Sequence, residues 1–308
     1  MQGTLVTSPP AHGDNMQWGL FRSIIISLTF TITALLPICD AIGAEYSQQD
    51  GIIGAIGSYT TKADDSLIEL ARKFGLGYNE IVAANPTVDP ILPAQGTKIV
   101  IPSMWILPDV PPQGIVINIS EMRLYYFPPG RRDRVLTYPV GIGDEGWETP
   151  TGAYRIIEKI VNPTWHVPLS IQRQKPELPA VVPPGPDNPL GTRALRLSLR
   201  TILIHGTNRP FGIGRKVSHG CIHLYPEDII KLFRQAKIHT KVTIIRQPVK
   251  AAVVGNRLLV EMHGDRGEHM YKQAYEELLR KGYLDKADPE KLITAASEKI
   301  GMPEDVSW

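Results

Sequence analysis

The sequence predicts a mainly β protein. A central domain of mixed, sandwich-like sheets carries one or two helices. A small βααβ unit precedes it and a small helical C-terminal segment follows. Three observations carry this reading. Glycine and proline number 27 each in 308 residues, which favours short strands and many turns over long helices. Between residues 114 and 247, short β-branched and aromatic runs are punctuated by Gly or Pro. Apart from one central helix, helix-period patterns are confined to the two flanks. Charged residues make up 21% and the net charge is +2, an ordinary globular balance with no nucleic-acid footprint.

Residues 1–44 read as a secretory signal. Arg22 precedes an uncharged apolar run from Ile24 to about Ile38, and the small residues Ala41, Gly43 and Ala44 follow. The run is short for a spanning helix, which needs about 20 apolar residues; an uncleaved anchor is the competing reading. Cleavage near Ala44 removes Cys39 and leaves Cys221 as the single thiol. In an oxidising compartment a lone cysteine has no internal disulfide partner. It is either buried and inert or kept for its chemistry, and its polar, glycine-rich neighbours favour the second.

Residues 57–102 form the βααβ unit. Ser58–Thr61 reads as a strand. Ser66 caps a helix whose Leu67, Leu70, Ala71 and Phe74 share one face, and Gly75 and Gly77 end it. A second helix, Tyr78–Ala84, stops at Asn85-Pro86, with Asn85 read as a turn residue. The run GTKIVIP is the closing strand. Residues 103–113, rich in proline, read as an extended, semi-rigid linker.

Residues 114–247 carry the strand-like runs GIVINIS, MRLYYFP, RVLTYPVGIG, GAYRIIEKI, ALRLSLRTILIHG and KVTIIR. The helix YPEDIIKLFRQAK has Pro226 in its first turn, acids at its start and bases toward its end. A proline-rich loop from Lys175 to Gly191 is long enough to be a cover or flap. Residues 251–308 read as two amphipathic helices, the first ended by Gly282. No chemistry is assigned there, and His263 and His269 read as surface residues.

The chemistry gathers in SHGCIH, Ser218–His223. A thiol attacks as its thiolate and needs a base near neutrality. His219 stands two residues before Cys221, a spacing that puts both side chains on one side of an extended chain. Gly220 permits a sharp turn and leaves its N–H open, so the Gly220 and Cys221 amides form a candidate oxyanion site. His205 ends a strand sixteen residues earlier, and the glycine-containing loop after it folds it back.

These residues resemble the L,D-transpeptidase family with its YkuD-type catalytic domain. The resemblance rests on His205-Gly206-Thr207, on Gly212 and Gly214, on Ser218-His219-Gly220-Cys221-Ile222 and on the following Asp228. Upstream it rests on Pro139-Val140-Gly141, Thr149-Pro150 and Thr151-Gly152. Residues 57–102 likewise resemble the LysM peptidoglycan-binding module through Tyr59, Asp65-Ser66-Leu67, Ala71, Phe74, Ile81, Asn85, Gln95, Gly96 and Ile101-Pro102. They depart from it at Ala63-Asp64, where a glycine is usual. Together the two are similar to ErfK/YbiS-like Gram-negative periplasmic enzymes.

The resemblance implies a periplasmic enzyme that binds no cofactor and no metal. It implies peptidoglycan tetrapeptide stems as substrate, with glycan strands and an outer-membrane lipoprotein as further partners. Cys221 would attack the carbonyl at the L,D bond and D-Ala would leave. His219 would act as base, with Gly220 supporting the oxyanion. His205, Gly206, Thr207, Arg209, Ser218 and His223 would shape the substrate site. The acyl group would pass to a stem amine, a lipoprotein lysine, or water; the last would make an L,D-carboxypeptidase. His223 departs from the family, which usually has arginine there; imidazole is shorter and titratable.

Two other readings compete. Zinc held by His205, His219, Cys221 and His223 has the wrong intervals for a common structural site. A non-catalytic wall-binding protein draws its support from His223 alone. Lys216 is a further candidate for substrate carboxylates, and Tyr138 and Trp165 for the donor site. The ordinary reading of the first is a solvated cation and of the other two core aromatics. His166 reads as structural.

Overall fold

The computed structural model describes residues 45–47, 50–131, 133–264 and 269–308. The signal-like segment 1–44, including Cys39, lies outside the described residues.

Strands β1 (Glu45–Ser47) and β2 (Ile52–Gly54) precede the βααβ unit. In that unit β3 (Gly57–Thr60) leads to α1 (Leu67–Lys73). Its N-cap Ser66 accepts the Glu69 amide at 3.2 Å, satisfying a donor the helix itself cannot pair. Gly75, at φ +64°, turns the chain out of the helix in the left-handed region that glycine enters freely. Helix α2 (Tyr78–Ala83) and β4 (Lys98–Ile101) close the unit, and β4 pairs antiparallel with β3. Asn85 is more than a turn residue. Its buried carboxamide donates to the Ile81 and Val100 carbonyls and accepts the Val100 amide, tying α2 to β4.

The connector is packed, unlike the expected spacer. Met104–Ile106 forms β5, antiparallel to β2, with Trp105 and Ile106 buried. Only its second half keeps the proline-rich character, because three of the four apolar residues between Pro102 and Pro108 suffice for a strand.

The central domain contains β6 (Gly114–Asn118), β7 (Arg123–Phe127), β8 (Arg134–Pro139), β9 (Ile142–Gly143), β10 (Gly152–Val161), β11 (Trp165–His166), α3 (Leu169–Gln174), β12 (Val181–Val182), β13 (Arg193–Leu197), β14 (Leu203–His205), β15 (Lys216–Ser218), β16 (Ile222–His223), α4 (Pro226–Gln235) and β17 (Lys241–Ile245). Among the described residues, nine strands join in the order β1-β8-β7-β6-β17-β10-β13-β14-β16.

Alternation along β6, β7 and β8 feeds two cores. Ile115, Ile117, Leu124, Tyr126 and Leu136 meet residues of β10, β13, β14 and β16 and of α4 in one cluster. The sheet therefore curls around that core. Val116, Tyr125, Phe127 and Val135 face the other way and share a second cluster with Leu67, Leu70, Ile81 and Trp105. The βααβ unit is thus packed on the back of the sheet, within one compact body. Tyr138 belongs to the inner core, not to a substrate surface.

The C-terminal segment carries the two expected helices, α5 (Met270–Lys281) and α6 (Pro289–Glu298). A hairpin precedes them, β18 (Val249–Val254) with β19 (Arg257–Met262), turned at Gly255-Asn256 and extended by β20 (Glu304–Asp305). Charged residues are buried here. Lys250 Nζ lies 2.6 Å from Glu121 and 2.8 Å from Glu261, and each of the three is at most 1% exposed at its side chain. His263 is buried against Glu261 at 2.7 Å, which corrects its surface assignment. Glu121, Glu261 and His263 could in principle ligate a metal, but the Lys250 ammonium stands between the two carboxylates as their counterion. His269, before α5, is exposed.

Candidate active site

Strands β14 and β16 run parallel, with Ile204 opposite Ile222 and His205 opposite His223. Both isoleucines are fully buried in the inner core. Alternation therefore sends His205 and His223 to the other face, and Cys221 stands just before β16, after the turn at Gly220. The His205 and His223 rings stack with centroids 4.4 Å apart, tilted by 53°.

Cys221 Sγ lies 3.8 Å from the Thr201 carbonyl. Burial raises its thiol pKa, opposed by the Leu203 backbone hydrogen bond and by the charge of Arg196. The resting group is therefore the thiol. His205 is buried, and its Nδ1 lies 2.6 Å from the Gly206 carbonyl. A carbonyl only accepts, so Nδ1 carries the proton and Nε2 holds the basic lone pair. Burial pushes the His205 pKa down to about 4, against the Gly206 and Leu190 backbone hydrogen bonds. Near neutrality this ring is uncharged and able to take a proton. Burial, and then the neighbouring His205, also holds His223 well below the usual histidine range.

His219 is placed differently from the expectation. It is exposed, its ring packs 4.8 Å from Trp147, and its Nε2 lies 3.4 Å from Gln174 Oε1 at the end of α3. Burial, then Lys175, lowers its pKa, while Asp144 opposes. Its side chain is engaged with the flap and with Trp147. The order Ser-His-Gly-Cys puts His219 outside the β16 alternation because the chain turns at Gly220, where φ is +98°.

The Gly220 N–H is not open either: it donates to Ser218 Oγ at 3.1 Å. Ser218 Oγ in turn donates to the Cys221 carbonyl at 2.6 Å. Thr149 Oγ1 donates to the Gly220 carbonyl at 3.0 Å and accepts the Gly143 amide at 3.0 Å. Ser218 and Thr149 thus fix the peptide on each side of the nucleophile. The φ at this position demands glycine, and a methyl there would also crowd Ile202 Cδ1 at 3.2 Å.

His205 and His223 come together, Gly206 holds the His205 ring, and Ser218 holds the Cys221 carbonyl. Thr207 is buried beside them, its hydroxyl accepting the Arg209 amide at 2.9 Å. The Arg209 residue is exposed. His205, His219, Cys221 and His223 do not converge on one point, since His219 faces Trp147 and Gln174. Four residues escaped the sequence reading of the site: Thr149, Trp147, Gln174 and Arg196. Thr149 stood in a quoted motif without a role. Arg196, opposite Leu203 on β13 and paired with Glu158 at 2.7 Å, left no local signal.

Two family models match the sequence along this fold. The L,D-transpeptidase (YkuD) catalytic domain matches residues 112–244 and the LysM domain matches residues 59–102. The chain is 33% identical over 192 residues to the YkuD protein of Bacillus subtilis strain 168, covering 99% of it and 61% of this chain. It belongs to that family.

Among its relatives is "Probable L,D-transpeptidase YcfS" of Escherichia coli K12, 47% identical over 207 residues and 64% of each chain. "Probable L,D-transpeptidase YbiS" of the same strain is 44% identical over 200 residues, 63% of this chain and 64% of that one. The chain thus spans just under two thirds of the length of these two relatives.

Proposed function

We propose that the chain is an exported, periplasmic L,D-transpeptidase that acts on peptidoglycan tetrapeptide stems. The observation that carries the reading is the pairing of His205 on β14 with His223, two residues after Cys221, with the His205 tautomer fixed by the Gly206 carbonyl. His205 Nε2 takes the Cys221 proton as sulfur attacks the carbonyl of the third stem residue. The Cys221 amide supports the oxyanion. Collapse breaks the amide bond, the imidazolium returns its proton to the departing D-Ala amine, and a thioacyl-enzyme remains. An incoming amine loses a proton to His205, attacks, and releases the thiol.

His205 takes the base role that the motif order suggested for His219. Its orienter is a carbonyl, in keeping with the absence of an acidic partner in the motif. His219, with Trp147 and Gln174, is proposed to line the entrance beneath the flap, and His223 to tune the pocket through its contact with His205. The proposed acceptors are a diaminopimelate amine of a second stem, giving a cross-link, or a lysine of an outer-membrane lipoprotein. The proposed limits are a signal at 1–44, LysM at 57–102, catalysis at 114–247 and an appendage at 251–308. The LysM module would hold glycan strands.

Incubation with a disaccharide tetrapeptide, with and without a lipoprotein bearing a C-terminal lysine, tests this. Free D-Ala together with a new amide product is expected. D-Ala release without an amide product would make the chain a carboxypeptidase. No product, with glycan binding intact, would leave only the wall-binding role.

A further inference from the structure

The first turn of α2 in the LysM module meets the catalytic loop that leads from His205 to Cys221. The Tyr78 N–H donates to the Ile213 carbonyl at 3.1 Å. Gly77 and Gly214 pass backbone against backbone. A methyl on Gly77 would lie 2.9 Å from Gly214 Cα, and one on Gly214 would lie 2.3 Å from the Tyr78 nitrogen. The Arg215 guanidinium carbon sits 3.7 Å from the centroid of the Tyr78 ring. From there the loop is bonded directly into the active site. The Gly214 amide donates to Val140 and the Ile142 amide to Arg215, each at 3.1 Å. Strand β15 pairs with β9 and ends at Ser218, which holds the Gly220–Cys221 peptides.

Helix α2 is itself fixed to the catalytic sheet. Glu80 accepts Arg123 Nε at 2.8 Å, Arg123 Nη2 at 2.7 Å and the Trp105 indole N–H at 2.9 Å. The same carboxylate accepts the Gly77 amide at 2.6 Å. Arg123 and Glu80 are 0% and 2% exposed at their side chains. A two-pronged pair buried this completely holds its geometry, because displacing either member strands a charge. At the rim, Arg72 makes a second two-pronged pair with Glu227 of α4, both contacts at 2.8 Å. A module that served only to grip glycan would need a tether and a free groove, not a backbone contact with the catalytic loop.

We propose that the Gly77–Glu80 turn of the LysM module is a positioning element of the active site. It sets the 210–215 loop and, through it, the Ser218–Cys221 segment, and so governs the rate of thiol attack without touching substrate. The inference rests on the transpeptidase reading and deepens it.

The test uses the full chain and a sugar-free stem tetrapeptide with an amine acceptor, so that glycan binding plays no part. Gly77 has φ −82°, so Gly77→Ala strains no backbone; its methyl displaces the Asn79 carboxamide oxygen, 2.6 Å away, and presses on the Gly214 backbone at 2.9 Å. Tyr78→Ala removes the platform under Arg215, and Tyr78→Phe keeps it. Gly57→Ala is the control, since its methyl meets Ile101 at an ordinary 3.6 Å. A displacement of about 1 Å costs on the order of a hundredfold in rate; Gly77→Ala and Tyr78→Ala are expected to lower kcat at least about tenfold. KM should stay within about twofold. Tyr78→Phe and Gly57→Ala should match the unsubstituted chain, and all variants should keep its melting temperature within a few degrees and its retention on insoluble peptidoglycan. Unchanged kcat in both Gly77→Ala and Tyr78→Ala overturns the inference alone. An unsubstituted chain that does not turn over the stem overturns the transpeptidase reading, and the inference with it. If Gly77→Ala fails to fold, the Tyr78→Ala and Tyr78→Phe pair decides.

Discussion

Replacing His205 by asparagine separates the two histidines that could serve Cys221. The carboxamide can still donate to the Gly206 carbonyl, but it carries no basic nitrogen. The magnitude follows from the thiol. An ordinary cysteine is at most a few per cent thiolate at pH 7, and burial raises the Cys221 pKa further. Without a base, attack depends on that small fraction. The expected fall in kcat is therefore on the order of 10²–10⁴, the usual contribution of a positioned base. His219→Asn removes an exposed ring that packs on Trp147 and faces Gln174. Its expected effect is below about tenfold and falls on KM, as for a group that binds substrate and transition state alike. Initial rates of D-Ala release from a soluble stem measure both. The assignment is refuted if His219→Asn shows the large loss in kcat and His205→Asn does not.

Four further outcomes follow. The acid limb of kcat/KM should lie near pH 4, where His205 titrates, with activity lost as pH falls and the ring protonates; a limb at or above pH 6 would contradict a buried base. The same shift acts on stability. Between about pH 6.5 and 4 the unfolded state binds the extra proton, so this histidine's share of about 3 kcal/mol is present above pH 6.5 and lost as pH falls toward 4. Lys250→Met leaves Glu121 and Glu261 without their shared ammonium and should cost about 3–5 kcal/mol, read as a lower denaturant midpoint. Thr149→Val strands the Gly143 amide and the Gly220 carbonyl. It should cost about 1–3 kcal/mol and lower kcat more than it raises KM.

The motifs made much of the site legible, and the reasons for the failures are physical. Cys221, His205 and Ser218 belong to one contiguous segment and one strand end, so sequence spacing nearly determines their placement. The proposed assignment of the base to His205 instead of His219 was not legible, because it depends on the strand register of His205 and on where the chain turns at Gly220. In α1, the cap at Ser66 and the apolar face were readable because both are local. The hairpin β18–β19 was missed although Gly255-Asn256 is a good two-residue turn signal. Lys250 and Glu261 sit at core positions and disrupt the apolar pattern that marks a strand. The same error hid the module's docking. Glu80 and Arg123 look like solvated charges when read singly. Their burial as a pair is a fact about two residues 43 positions apart, and no local pattern encodes it.

Intact-protein mass spectrometry detects the thioacyl-enzyme itself. The full chain is mixed with stem tetrapeptide in the absence of an amine acceptor and quenched in acid within the first turnovers. Acylation of the thiol gives a mass gain equal to the stem tripeptide less one water, located on Cys221 by peptide mapping and absent in Cys221→Ala. A Cys221→Ala chain that still releases D-Ala, or an unmodified Cys221 in a chain that is turning over the stem, would contradict it.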